Sequence, residues 1–221
     1  MPQSQDTASR AHLVAKEQSG AQAQYVDKFE ARRRELADAT LETLGELGYA
    51  RTSLREIAQN TRLSHGSLHY YFRDKLDLIT FGVRRYNARC TQRYDAIIES
   101  DLTAAEFTQR ITDRMVETMW ADTAMHKLWY DMRTQAMFEP QLAPAVAAID
   151  ASLRDMVWRI TTRYADLCGR PTTVPPELAY AVVDGLFESC LFAHVLGDKS
   201  AEPRLRGGLP ALLRVAVPTP S

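Results

Sequence analysis

The sequence predicts an all-α protein, with a small N-terminal three-helix unit that contains a helix-turn-helix corner and a larger helical domain behind it. Three observations predict this. From Phe29 onward apolar residues recur at helical spacing, no segment alternates as a half-buried strand does, and Gly48, Pro140 and Gly169 stand where helices stop. With 221 residues, 45% of them apolar, the chain can fill a substantial core.

Each element follows from its own signals. Residues 1–28 are polar, rich in Ala, Gln and Ser, and read as a mobile N-terminal arm. Two uses stay open for it, a solvated tail or an arm that reaches a DNA minor groove through Arg10, Lys16 and Lys28. The first helix runs from Phe29 through Leu36, Thr40, Leu41, Leu44 and Leu47 to Gly48. Thr52 or Ser53 caps the second, where Ser53 and Glu56 have the spacing of a capping box, and Leu54, Ile57 and Ala58 form its inward face. After a break at Thr61 and Arg62, Leu63 turns back to the core and Ser64 opens a third helix anchored by Leu68 and Phe72. Asp74 caps a fourth, which the periodicity carries toward Ser100. Beyond it, Phe107, Ile111, Met115 and Met119 repeat every four residues on one helix. Trp129, Met132 and Arg133 mark the next, Pro144 to Cys168 a long one, Pro176 to Leu196 another, and Leu205 to Ala216 a short last one broken by Gly207 and Gly208. The domains expected are an arm over 1–28, a helix-turn-helix domain over 29–75, and a C-terminal domain over 76–221 that includes the connecting helix.

The net charge of −1 hides an uneven distribution. Residues 49–95 carry nine Lys and Arg against four Asp and Glu, whereas residues 1–48 carry six against eight and residues 96–221 twelve against sixteen. The one net-positive segment holds the corner. Cys90, Cys168 and Cys190 have neither disulfide-framework nor zinc-ribbon spacing. No apolar signal-type segment and no run of about 20 uncharged apolar residues is present, which places the protein in the cytoplasm without a membrane partner. Nucleophile elbow, Walker loop, zincin motif and dinucleotide fingerprint are all absent, so no enzymatic activity and no cofactor is expected. His65 and His69 are four apart, a metal-ligand spacing, but no Cys, Asp or Glu stands near as a third ligand, and no metal is expected.

The exposed face of the third helix would carry Ser64, His65, Ser67, His69, Tyr70 and Tyr71, whose hydroxyls, imidazoles and phenols suit phosphate oxygens and base edges. Thr52-Ser53-Leu54-Arg55-Glu56-Ile57-Ala58, Leu63-Ser64-x-Gly66-Ser67-Leu68 and Tyr70-Tyr71-Phe72-x-Asp74-Lys75-x-x-Leu78 together resemble the TetR family of bacterial transcriptional regulators. The resemblance is specific over about residues 30–80 and architectural beyond. It implies that Thr52 and Ser53 bind phosphate, that Ser64, His65, Ser67 and His69 face the major groove, that Tyr70 and Tyr71 touch the sugar-phosphate backbone, and that Lys75 holds a phosphate. Lys75 at a helix N-terminus suits an anion on physical grounds as well. Two positions depart from the family pattern. Arg62 stands where a turn glycine is usual, and would recover its cost through a phosphate contact, and His69 stands where tyrosine is frequent.

In the C-terminal domain, Met115, Met119, Trp120, Trp129, Met132 and Phe138, with Arg133 as a polar contact, are the candidate wall of a pocket, or else ordinary core. Ala181, Gly185, Ser189 and Ala193 form a small-residue stripe on an apolar helix and are the candidate dimer interface, since the family pairs through its last two helices. The expectation is a ligand-responsive repressor, a homodimer on a palindromic double-stranded operator, released by a small hydrophobic effector. The alternative is an all-α ligand-binding or enzymatic protein whose corner is only structural.

Overall fold

A computed structural model describes residues 25–41, 43–49, 52–61 and 64–218, apart from the side chains of Asn60, Thr61 and His65. Arg62 and most of the expected arm lie outside the described residues. Residues 25–41 and 43–47 are helical and form α1. Then come α2 (Leu54–Thr61), α3 (His65–Tyr71), α4 (Lys75–Gln92), a single turn α5 (Asp95–Ile98), α6 (Ala104–Ala121), α7 (Thr123–Gln135), α8 (Ala143–Cys168), α9 (Pro176–Val195) and α10 (Ala201–Ala216). No strand occurs among the described residues, and the all-α reading holds.

Local chemistry sets the helix ends. Gly48 closes α1 at φ +82° and Gly169 closes α8 at φ +64°, both in the left-handed region that a side chain disfavours. Ser53 and Glu56 do form the capping box of α2: the Ser53 amide donates to the Glu56 carboxylate at 2.6 Å, and the Glu56 amide to Ser53 Oγ at 3.2 Å. Thr103 and Glu106 repeat the device on α6.

Two apolar clusters fill the interior. The first joins Leu36, Leu44, Ile57, Leu68, Phe72, Leu78 and Ile79 of the N-terminal helices to Leu128, Trp129 and Met132 of α7 and Val146 and Ile149 of α8. The second is built on Phe107, Ile111, Met115 and Met119 of α6, Val157 and Ile160 of α8, Leu191 of α9 and Leu205, Leu209 and Leu213 of α10. The first cluster thus runs past residue 75 through α4 into α7 and α8, and Tyr130 of α7 packs against both clusters. On its other side α9 leaves Leu178, Val182, Phe192 and Val195 exposed. It is long and apolar enough to cross a membrane by length and composition, with a mean hydropathy of 1.4, yet it packs on α8 and α10.

Candidate functional site

The reading head is assembled around α3. Leu68 and Phe72 anchor it inward, and Ser64 caps it, accepting from the Ser67 amide at 2.9 Å. With that face buried, Ser64, Gly66, His69 and Tyr70 are exposed and Ser67 and Tyr71 half-buried. The hydroxyls of Ser64 and Ser67 lie 2.6 Å apart, a pair ready to turn outward to a phosphate or base edge. His65 belongs to the helix, but its side chain is outside the described residues. Tyr70, 61% exposed, bonds Tyr25 of α1 through its hydroxyl at 2.8 Å, while Tyr71 stacks on Phe29 at 4.8 Å. Arg33 of α1 bonds Asp77 at 2.8 Å and covers the rings of Phe72 and Phe81, locking α1 across the start of α4.

Two expected phosphate ligands are differently placed. Thr52 is buried, and its hydroxyl donates to the Gly48 carbonyl, so it shapes the turn and leaves Ser53 as the exposed hydroxyl there. Lys75 lies over the ring of Tyr49 at 4.0 Å and donates to the Tyr49 carbonyl at 2.9 Å, which uses one of its three protons. Tyr49 is in turn held from α7 and the segment that follows it: its amide donates to Asp131 Oδ2 at 2.6 Å and its hydroxyl to Glu139 Oε2 at 2.8 Å. Burial, and then Glu139, push the Tyr49 phenol pKa well up, so it remains a donor.

The opposite face of α7 borders a small, partly open cavity of about 70 Å³. His126, Trp129 and Tyr130 line it from α7, Tyr94 and Met115 from below, Leu153, Met156 and Val157 from α8, and Tyr180, Asp184 and Phe187 from α9. Of the residues expected there, Met115 and Trp129 form part of the wall, while Met119 and Met132 are fully buried in the flanking cores. Trp120, 49% exposed, sits edge-on to His194 outside the cavity, because it follows Met119 by one residue and so leaves the inward stripe of α6. Phe138, 77% exposed, falls past the end of α7 and points away. Arg133 stands at the cavity's end, bonded to Asp184 and 3.7 Å from Asp150. Tyr130 donates to Asp184 at 3.1 Å and Tyr180 to Asp150 at 2.6 Å, and burial and those carboxylates raise both phenol pKa values. Sequence reasoning did not single out Tyr94, Tyr130, Tyr180 or Phe187. A signal existed in Asp184, one of the few charges on an otherwise apolar helix.

The candidate dimer stripe divides. Ala181, Gly185 and Ser189 are exposed along α9, while Ala193 is 6% exposed and belongs to the protomer's own core.

Residues 36–80 match the family model described as bacterial regulatory proteins, tetR family. The chain is 27% identical over 158 residues to the HTH-type transcriptional regulator PksA of Bacillus subtilis, spanning 71% of this chain and 77% of that one. It is 31% identical to the HTH-type transcriptional regulator BetI of Cronobacter sakazakii over 50% of this chain and 56% of that one, so this match spans about half of the relative. Its fold is similar to that of the transcriptional regulator FadR of Bacillus subtilis in complex with stearoyl-CoA, with a TM-score of 0.63, 17% identity and coverage of 84% and 98% of the two chains. A regulator of Saccharomonospora viridis in complex with choline is similar at a TM-score of 0.64 and 16% identity, with coverage of 85% and 98%. Residues 36–80 are thus the DNA-binding domain of the tetR family of bacterial regulatory proteins, and the chain as a whole is similar to HTH-type transcriptional regulators in sequence and to such regulators in helical layout.

Proposed function

We propose that the chain is a repressor that binds a palindromic operator as a homodimer in the cytoplasm and releases it when a small, largely apolar effector enters the cavity. The observation that carries this reading is α7, which lines the cavity with His126, Trp129 and Tyr130 and grips the reading head through Asp131 and Tyr49. An occupant that displaces α7 therefore acts on the head, a coupling of two binding equilibria. The complexes of similar folds with stearoyl-CoA and with choline support small-molecule occupancy of this architecture.

At the DNA, Ser64, His65, Ser67 and His69 read the groove, and Ser53, Tyr70, Tyr71 and the spare protons of Lys75 hold backbone phosphates. Arg62, beside α3 in sequence, is a further phosphate ligand in this reading. The exposed Leu178, Val182 and Phe192 with Ala181, Gly185 and Ser189 make α9 the face that pairs with a second protomer, setting two heads on two half-sites. The enzymatic alternative finds no support in the regulators the chain resembles.

Fluorescence anisotropy with DNA from upstream of the chain's own gene tests the reading. Half a dozen phosphate contacts would weaken binding by about three orders of magnitude between roughly 50 and 200 mM salt. A shallow salt slope and no preference among sequences would reject it.

A further inference from the structure

Resting on the reading of the cavity as an effector site, we infer that its occupant is a small organic cation with an apolar body and one oxygen acceptor. Asp184 is the one formally charged side chain in the described wall, and its side chain is only 11% exposed. Arg133 does not cancel it alone, because the same guanidinium also faces Asp150 at 3.7 Å. Two carboxylates against one guanidinium leave one negative charge at that end. His126 adds no positive charge there, since burial pulls its pKa down to about 4. Around this charge stand the rings of Tyr94, Trp129, Tyr130, Tyr180 and Phe187, whose electron-rich faces attract cations and repel anions. The remaining wall is mostly apolar and carries the soft sulfurs of Met115 and Met156, which suit alkyl groups on a cation as well as they suit a hydrocarbon. The oxygen acceptor is read from Trp129: the residue is 6% exposed, and its Nε1 is buried without a hydrogen-bond partner. A buried donor of that kind is costly unless something accepts from it, and an occupant's hydroxyl or carbonyl oxygen that reached it would relieve that cost. A carboxylate or phosphate head would instead meet Asp184 in a wall that holds no Lys or Arg among the described residues.

Calorimetric titration of the full chain decides between these chemistries with three probes: choline, its uncharged carbon isostere 3,3-dimethylbutan-1-ol, and decanoate. Choline is expected to bind at least about tenfold more tightly than the isostere, since cation–π and charge terms are worth that much in a desolvated site. Asp184→Asn should bring the two within about threefold of each other. Trp129→Phe should weaken choline more than tetramethylammonium, which loses ring attraction but has no oxygen to lose a donor. Equal affinity for choline and its isostere in the unaltered chain overturns the inference whatever the variants do, and so does a preference that survives Asp184→Asn. If decanoate or the isostere binds best and releases DNA, the cation class falls while the effector-controlled regulator stands. If DNA shows no preferred site, the regulator reading itself has failed.

Discussion

At the scale of single residues, His126 makes the interior of the protein sensitive to acid. Its ring packs between Tyr86 and Phe187, and Nε2 lies 3.2 Å from the Thr118 carbonyl, which only a protonated Nε2 of the neutral tautomer satisfies without adding charge. Burial lowers its pKa to about 4, against about 6.5 for an unfolded chain. A folded pKa below the unfolded one means that the unfolded chain takes up the proton first. Stability is therefore full above about pH 6.5 and declines as pH falls toward 4, by on the order of 3 kcal/mol for this group. Urea unfolding at pH 7 and pH 5 should show about 2 kcal/mol of that loss in the native chain, and His126→Phe should flatten it; an equal loss in the variant would assign the acid sensitivity elsewhere. What the sequence could not reveal at this scale is direction. Thr52 and Lys75 stand at motif positions that suggest phosphate, but Thr52 turns inward to Gly48 and Lys75 rests on Tyr49, whose own pose is fixed by Asp131, 82 residues away. Asp184 was visible as a charge on an apolar helix, while its partners Arg133 and Tyr130 are supplied by packing.

At the scale of elements, α3 is seven residues long and too short to persist alone, so its cap and two anchors decide whether it forms. Replacing Ser64 by Ala removes the acceptor for the Ser67 amide and should cost about 1 kcal/mol of stability. Ser64→Asp keeps a good cap but sets a carboxylate on the exposed face. We expect near-native thermal stability for it together with a loss of DNA affinity larger than that of Ser64→Ala. Circular dichroism melts read with anisotropy separate the two effects, and undiminished DNA binding by Ser64→Asp would remove α3 from the interface. Most element ends were legible, because Gly48, Ser64, Asp74, Gly169 and Pro176 carry local chemistry that does not depend on the rest of the chain. The fourth helix was not. Its periodicity runs toward Ser100, but α4 ends at Gln92, where Arg93 pairs with Asp122 and Tyr94 sinks to 2% exposure, so tertiary contacts break a helix that no glycine or proline marks. The last helix errs the other way. Gly207 and Gly208 read as interruptions, yet α10 runs through both from Ala201, and Gly208 lets Leu186 of α9 pack where a Cβ would come within 2.7 Å of it.

At the scale of the whole molecule, regulation requires that the cavity and the reading head share a body, and α7 is that body. Its closeness to the head is built in at one further point: a Cβ on Gly45 of α1 would lie 2.7 Å from Ala124. In the proposed mechanism a shift of α7 outward passes to Tyr49, then to Lys75, which rests on it, and so to the start of α4 beside α3. This route can be tested without knowing the effector. Leu153 of α8 lines the cavity opposite His126 and Trp129, and Leu153→Phe adds volume there as an occupant would. Overfilling should push on α7 and weaken operator binding by about fivefold, the lower end of common allosteric couplings. Asp131→Asn keeps the shape of the clasp but weakens its hold on the Tyr49 amide, so alone it should change operator affinity little. Combined, the two changes should not add: in the Asp131→Asn background, Leu153→Phe should lose most of its effect, a coupling of about 1 kcal/mol in a double-mutant cycle. Strict additivity would show that the cavity reaches the head by another path, with α4 packed along α8 as the one next to examine.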